Sequence, residues 1–182
     1  LGQIDDSKFN YAIDFLSNEV RLVHQAGLKI MVLHPGAHVG AGYDFAVERI
    51  ASGLRQILNK TKDCDVLIAL ETMAGKGTEI GSTMEEIKTI INGVKFKNKI
   101  GVCLDTCHLS DSGVDLTNFD AYLDELSELI DLSYIGCVHV NDSKNEMGAK
   151  KDRHANFGDG YIGFDTLISI IYNPRLEHLP FI

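Results

Sequence analysis

IGVCLDTCHLSDSG, residues 100–113, opens as a short apolar run and closes on polar groups. Ile100, Val102 and Leu104 have the spacing and branching of a buried strand. The run ends on Asp105, and His108 follows on the turn that leaves it. A carboxylate and an imidazole withdrawn from water at a strand end are costly unless each finds a partner. A metal ion is such a partner, because it takes carboxylate oxygen and neutral imidazole together.

The same ending recurs along the chain. Residues 28–33 lead to His34, 65–70 to Glu71 and 134–138 to His139, so the polar strand ends are spaced 37, 34 and 34 residues apart. Between them lie stripes of helical period. The first, Phe9, Ile13, Leu16, Val20 and Val23, is capped by Ser7 and ended by Gly27. Val47, Ile50, Leu54 and Ile57 mark the second. Met84, Ile87 and Ile91 mark the third, behind a capping box Ser82-x-x-Glu85. Phe119, Leu123, Leu126 and Ile130 mark the fourth. A polar loop over 143–160 then precedes Leu167, Ile168 and Ile171, and LPFI (179–182) opens one more strand.

Alternating strands and helices predict an α/β chain with a parallel sheet. A repeat of about this size, with polar residues at the same end of each strand, predicts a (β/α)8 TIM-type barrel. A doubly wound open sheet is the alternative. The expectation for residues 1–182 is a single domain carrying about five β/α units of an incomplete barrel. The missing strands would lie mostly upstream.

Composition agrees with a globular core: 45% of the residues are apolar and 24% charged. No apolar stretch is long enough to span a membrane, and residues 1–9 do not read as a signal peptide. Cys64, Cys103, Cys107 and Cys137 lie in apolar runs without a CxxC framework. They read as buried reduced thiols of an intracellular protein, with a Cys103–Cys107 ligand pair as the alternative. The expected compartment is cytoplasm or nucleoid in a bacterium, nucleus or organelle in a eukaryote. The formal charge of −9 argues by itself against nucleic acid. Bound divalent cations would offset part of it, so local charge decides.

Seven residues are candidate metal ligands: His34, Glu71, Asp105, His108, His139, Asp152 and His154. Any one alone reads as a hydrogen-bonded structural residue or a helix cap. Four successive strands ending in His, Glu, Asp and His are not explained by packing, since each buried polar group needs its own partner. Histidine mixed with carboxylate points to Zn2+, Mn2+ or Fe2+ in a hydrolytic or isomerising site. His38 could support the ligands; His24 and His178 read as surface residues. The glycines of AGKGTEIG (74–81) fit a tight turn better than a dinucleotide fingerprint. Lys144, Lys150, Lys151 and Arg153 read either as a solvated loop or as a phosphate-contacting rim.

Five segments together resemble the endonuclease IV family, the zinc-dependent apurinic/apyrimidinic endonucleases of base excision repair. They are HPGAHVG (34–40), LETMAGKGTEIG (70–81), GVCLDTCHLSDSG (101–113), HVNDSK (139–144) and DRHANFGDGYIG (152–163). The resemblance implies three zinc ions. His34 and Glu71 would bind the first. Glu71 would bridge to a second, shared with Asp105 and His139. His108, Asp152 and His154 would hold the third. Two further ligands, a His before residue 1 and a Glu beyond residue 182, are implied outside this stretch. The implied substrate is double-stranded DNA with an abasic site. A hydroxide shared by two zincs and oriented by Glu71 would cleave 5′ to the lesion, leaving a 3′-hydroxyl and a 5′-deoxyribose phosphate. A monomer is expected, since one barrel completes the site. One competing reading is a sugar-phosphate isomerase or epimerase on the same barrel, which needs one or two Mn2+ and no third ligand triad. Another is a non-catalytic DNA-binding relative, which predicts a gap among the ligands.

Overall fold

The computed structural model describes residues 1–182, apart from the side chain of Lys97. In chain order the elements are α1 (Asp6–Gln25), β1 (Ile30–Leu33), β2 (Gly36–Ala37), α2 (Tyr43–Lys60), β3 (Leu67–Glu71) and β4 (Glu79–Ile80). There follow α3 (Met84–Gly93), β5 (Ile100–Asp105), α4 (Thr106–Ser112), α5 (Phe119–Leu129), β6 (Ile135–His139), β7 (Asp142–Ser143), β8 (His154–Ala155) and α6 (Phe164–Ile171). Among the described residues no helix is long and apolar enough to cross a membrane.

β1, β3, β5 and β6 form one parallel sheet in that spatial order. Spatial order follows chain order without reversal. A doubly wound sheet reverses at its switch point, so the open-sheet alternative fails and half of a barrel remains. Phe181 bridges in parallel to Val138, so residues 179–182 do approach β6 as the next strand.

Side chains alternate across this sheet. Ile68, Leu70, Val102, Leu104 and Val138 face the helices and join the main core with Ile50, Leu54, Ile57, Ile87 and Leu123. The other, concave face carries Ile30, Val32, Ala69, Cys103 and Cys137. One irregularity interrupts the pairing. Val102 pairs with Ile135 but Cys103 pairs with Cys137, leaving Gly136 as a bulge. A Cβ there would come within 2.7 Å of the Leu67 side chain, which would have to move aside.

Local details correct several expectations. Asp5 rather than Ser7 caps α1, accepting from the Lys8 amide at 3.0 Å. The helix cap sits one residue later, on Thr83 rather than Ser82. Thr83 Oγ1 accepts from the Glu86 amide, and the Glu86 carboxylate accepts from the Gly81 and Ser82 amides. His108 lies in a short helix, α4, rather than on an open turn. α6 buries Leu167 and Ile170 rather than Ile168 and Ile171. The 143–160 segment is not plain loop either, for β7 and β8 pair antiparallel across it.

Candidate metal centre

Residues two apart on a strand share a face. Glu71 therefore stands above Ala69, Asp105 above Cys103 and His139 above Cys137, all on the concave side. The register sets them side by side, with Glu71 opposite Cys103 and Asp105 opposite His139. His34 follows the end of β1 on the same side. Asp105 also caps α4, its Oδ1 accepting from the His108 amide at 2.8 Å, which swings the His108 ring back over the strand ends.

Glu71 is the hub. Its Oε2 lies 3.0 Å from His34 Nε2, and its Oε1 lies 2.9 Å from His139 Nδ1 and 3.6 Å from His108 Nδ1. Burial pushes its carboxyl up, but the hydrogen bonds from His139 and His34 outweigh this and hold it at about 2. The same bonds raise both histidines, against the opposing effect of burial. Asp105 is fully buried, and that burial raises its carboxyl despite the nearby His108 ring. Its Oδ2 accepts from Asn141 Nδ2 at 2.7 Å and lies 3.8 Å from His139 Nδ1.

His108 is fixed from both sides. Its Nδ1 lies 2.8 Å from the Thr72 carbonyl, the geometry of an N–H donating to that oxygen. This leaves Nε2 facing Asp152 Oδ1 at 3.1 Å. His154 Nε2 is 3.4 Å from the same Asp152 oxygen. The two strands of the β7/β8 ribbon carry this loop back over the strand ends.

Four sets of donors converge within 4.8 Å: His34, Glu71 and His108; Glu71, Cys103 and His139; Asp105, Cys107 and His154; and His108, Asp152 and His154. All seven candidates thus meet at one place. Their grouping differs in part from the implied one: His108 also stands with His34 and Glu71, and Asp105 groups with Cys107 and His154 rather than with Glu71 and His139. Mixed imidazole and carboxylate at this spacing fits a borderline divalent ion. Among the described residues no set holds both Cys103 and Cys107, so the thiol-pair alternative has no geometric support. All four cysteines are buried and free. A hydrogen bond with Cys137 and burial push the Cys103 thiol up, and burial pushes Cys107 to about 12.

The remaining candidates are peripheral. His38 spends its Nδ1 on the Gly40 amide of its own turn. His24 and His178 are exposed, and His24 accepts from the Asp65 amide. Lys150, Lys151 and Arg153 are exposed on the loop that bears Asp152. Sequence reasoning missed the residues that hold the ligands. Thr72 lends its carbonyl to His108 and its Oγ1 to the Asp105 amide at 2.9 Å. Thr106 Oγ1 donates to the Asn141 carbonyl, fixing the turn after His139. Thr72 and Thr106 each follow a ligand directly, and that adjacency is the signal that could have found them.

Fold and site together define a β/α-barrel protein with a cluster of imidazole and carboxylate donors at the carboxyl ends of its strands. The family model described as xylose isomerase-like TIM barrel matches residues 1–181. A probable endonuclease 4 of Acholeplasma laidlawii is 51% identical over 177 residues, covering 97% of this chain and 60% of the relative. The probable endonuclease 4 of Staphylococcus aureus strain JH9 is 50% identical over 173 residues, covering 94% and 58%. The crystal structure of endonuclease IV from Thermus thermophilus superposes with a TM-score of 0.80 at 27% identity, covering 93% of this chain and 59% of that one. A D-tagatose 3-epimerase-like protein superposes at 0.78 with 18% identity, which speaks to the fold alone. The chain belongs to the xylose isomerase-like TIM barrel family. It spans about 60% of the length of the curated relatives it matches.

Proposed function

We propose that this chain carries the metal-binding part of a zinc-dependent DNA repair phosphodiesterase that cleaves 5′ to abasic sites. The observation that carries this reading is the His108–Asp152–His154 set, standing beside the donors on Glu71. An isomerase or epimerase using one or two metals has no need of that third set. The endonuclease 4 relatives point the same way.

His34 and Glu71 would hold one ion, Glu71, Asp105 and His139 a second, and His108, Asp152 and His154 a third. Zinc held there supplies Lewis-acid activation of water and of a phosphodiester. The chain's own part is positioning. Glu71 ties the first two sets together through its two oxygens. Thr72 and Asn141 keep His108 and Asp105 from turning away. Lys150, Lys151 and Arg153 form a cationic rim that offsets the acidic body where a DNA phosphate would approach. An abasic nucleotide has no base to unstack, so drawing it toward the strand ends costs less than flipping an intact one.

The test is elemental analysis of purified protein beside a cleavage assay on a duplex with one abasic site. Zinc as the bound metal, with incision 5′ to the lesion, is the expected result. A single manganese, sugar epimerisation and no incision would overturn it.

A further inference from the structure

Two metal-facing side chains, Asp152 and His154, come from a surface loop, and the loop's backbone does not favour its own shape. Lys150 (φ 55°) and Asp152 (φ 54°) both lie in the left-handed region, which a residue with a Cβ avoids unless its surroundings impose it. What imposes it lies beneath. Asp111, on α4, is fully buried. Its Oδ1 accepts from Ser143 Oγ at 2.7 Å. Its Oδ2 accepts from the Asp152 amide at 2.7 Å, the Lys151 amide at 3.2 Å and Asn145 Nδ2 at 3.4 Å. Even its carbonyl accepts from the Lys150 amide at 3.0 Å. Consecutive amides converging on one carboxylate form an anion-binding nest, here filled from within the chain.

Asp111 lies three residues after His108 on the same short helix, so the two project as neighbours. α4 therefore holds Asp152 at both ends: His108 Nε2 meets its carboxylate and Asp111 holds its amide. We infer that Asp111 is the positioning residue of the His108–Asp152–His154 metal site, fixing the loop so that the Asp152 carboxylate and His154 face the His108 ring. This rests on the proposed reading of that triad as a metal site. The opposite end of the loop offers an internal comparison. Asp142, also fully buried, accepts from the Gly160, Ile162 and Gly163 amides, and its carboxylate accepts no hydrogen bond from Asp152 or His154. Losing either aspartate breaks buried hydrogen bonds, but only one loss frees Asp152.

The experiment is a zinc competition titration against a chromogenic chelator with the wild type, Asp111→Asn, Asp142→Asn and Asp152→Ala. Asp152→Ala is expected to lose one zinc per chain. Asp111→Asn should weaken that same zinc by about 10- to 100-fold and leave the others as in the wild type. Asp142→Asn should keep it. Wild-type affinity for every zinc in Asp111→Asn, or equal loss in Asp142→Asn, overturns the inference. A second readout needs no metal. With chelator present, trypsin should cut after Lys150, Lys151 and Arg153 faster in Asp111→Asn than in the wild type, and an unchanged rate counts against the inference. If Asp152→Ala keeps every zinc, the metal reading falls, and the trypsin rates alone decide whether Asp111 holds the loop. Should Asp111→Asn fail to fold, Ser143→Ala removes the donor to Oδ1, along with the acceptor of the Asn145 amide, and leaves the Asp111 bonds to the Lys151 and Asp152 amides in place. A smaller weakening of the same zinc is then expected, and no weakening would overturn the inference.

Discussion

Glu71 shows how opposed effects settle at one residue. Burial works against its charge, yet two imidazole donors outweigh that burial. In the metal-free protein the raised His34 and His139 favour folding while they are protonated. That contribution is complete below their ordinary value of 6.5 and is lost as pH rises through the raised values. Melting with chelator present should therefore occur at lower temperature near pH 8 than near pH 5.5, and Glu71→Gln should flatten the difference. Zinc affinity should run the other way, rising with pH, because the metal displaces protons from the same imidazoles. A calorimetric titration at both pH values checks this. The depressed Glu71 carboxyl acts in a separate window: its contribution stands above its ordinary 4.5 and fades as pH falls toward about 2. On the proposed phosphodiesterase reading, Glu71→Ala in a full-length version should abolish cleavage while leaving abasic-DNA binding largely intact, since Lys150, Lys151 and Arg153 are untouched. Retained cleavage would remove Glu71 from its proposed bridging role.

At the level of elements, most of the architecture was legible because burial follows period. The stripe Val47, Ile50, Leu54 and Ile57 is buried along α2 as the spacing predicts. Leu54→Ala should cost about 2–5 kcal/mol in a denaturant titration, since the side chain is fully enclosed. Boundaries were harder. Ser82, Thr83, Glu85 and Glu86 spell two overlapping capping boxes, and only tertiary packing makes Thr83 the cap. Thr83→Ala should therefore cost about 1 kcal/mol, and Ser82→Ala distinctly less. The four strand-end candidates were readable because each closes an apolar run. The hold on the 143–160 segment was not, because Asp111 and Asp142 look like ordinary surface acids until the fold wraps a loop around each. Hydrogen bonds across 32 or more residues at Asp111, and across 18 or more at Asp142, leave no local period to detect.

For the whole molecule, a formal charge of −9 coexists with a basic loop beside the donor cluster. If that loop meets DNA phosphates, Lys151→Ala should weaken binding to duplexes of any sequence. It should also reduce the slope of log affinity against log salt by about 1. Fluorescence anisotropy across a salt series checks it. An unchanged slope would return the loop to plain solvated surface. On the proposed reading, charge summed over the chain is a poor guide to partner, because the cations that would meet DNA occupy one small sector.

The bulge at Gly136 makes β6 a counting device. Along an unbroken strand, odd and even positions keep to opposite faces. Here Ile135 joins the helix side and Cys137 and His139 the concave side, although all three are odd-numbered. One surplus residue resets the parity between them. Deleting Gly136 would merely straighten the strand, keeping Ile135 and His139 on their present sides. Deleting Val138 would turn His139 or the residues before it to the wrong side. Insertions and deletions in this strand are thus sorted by position, with a single site where the count is free to change.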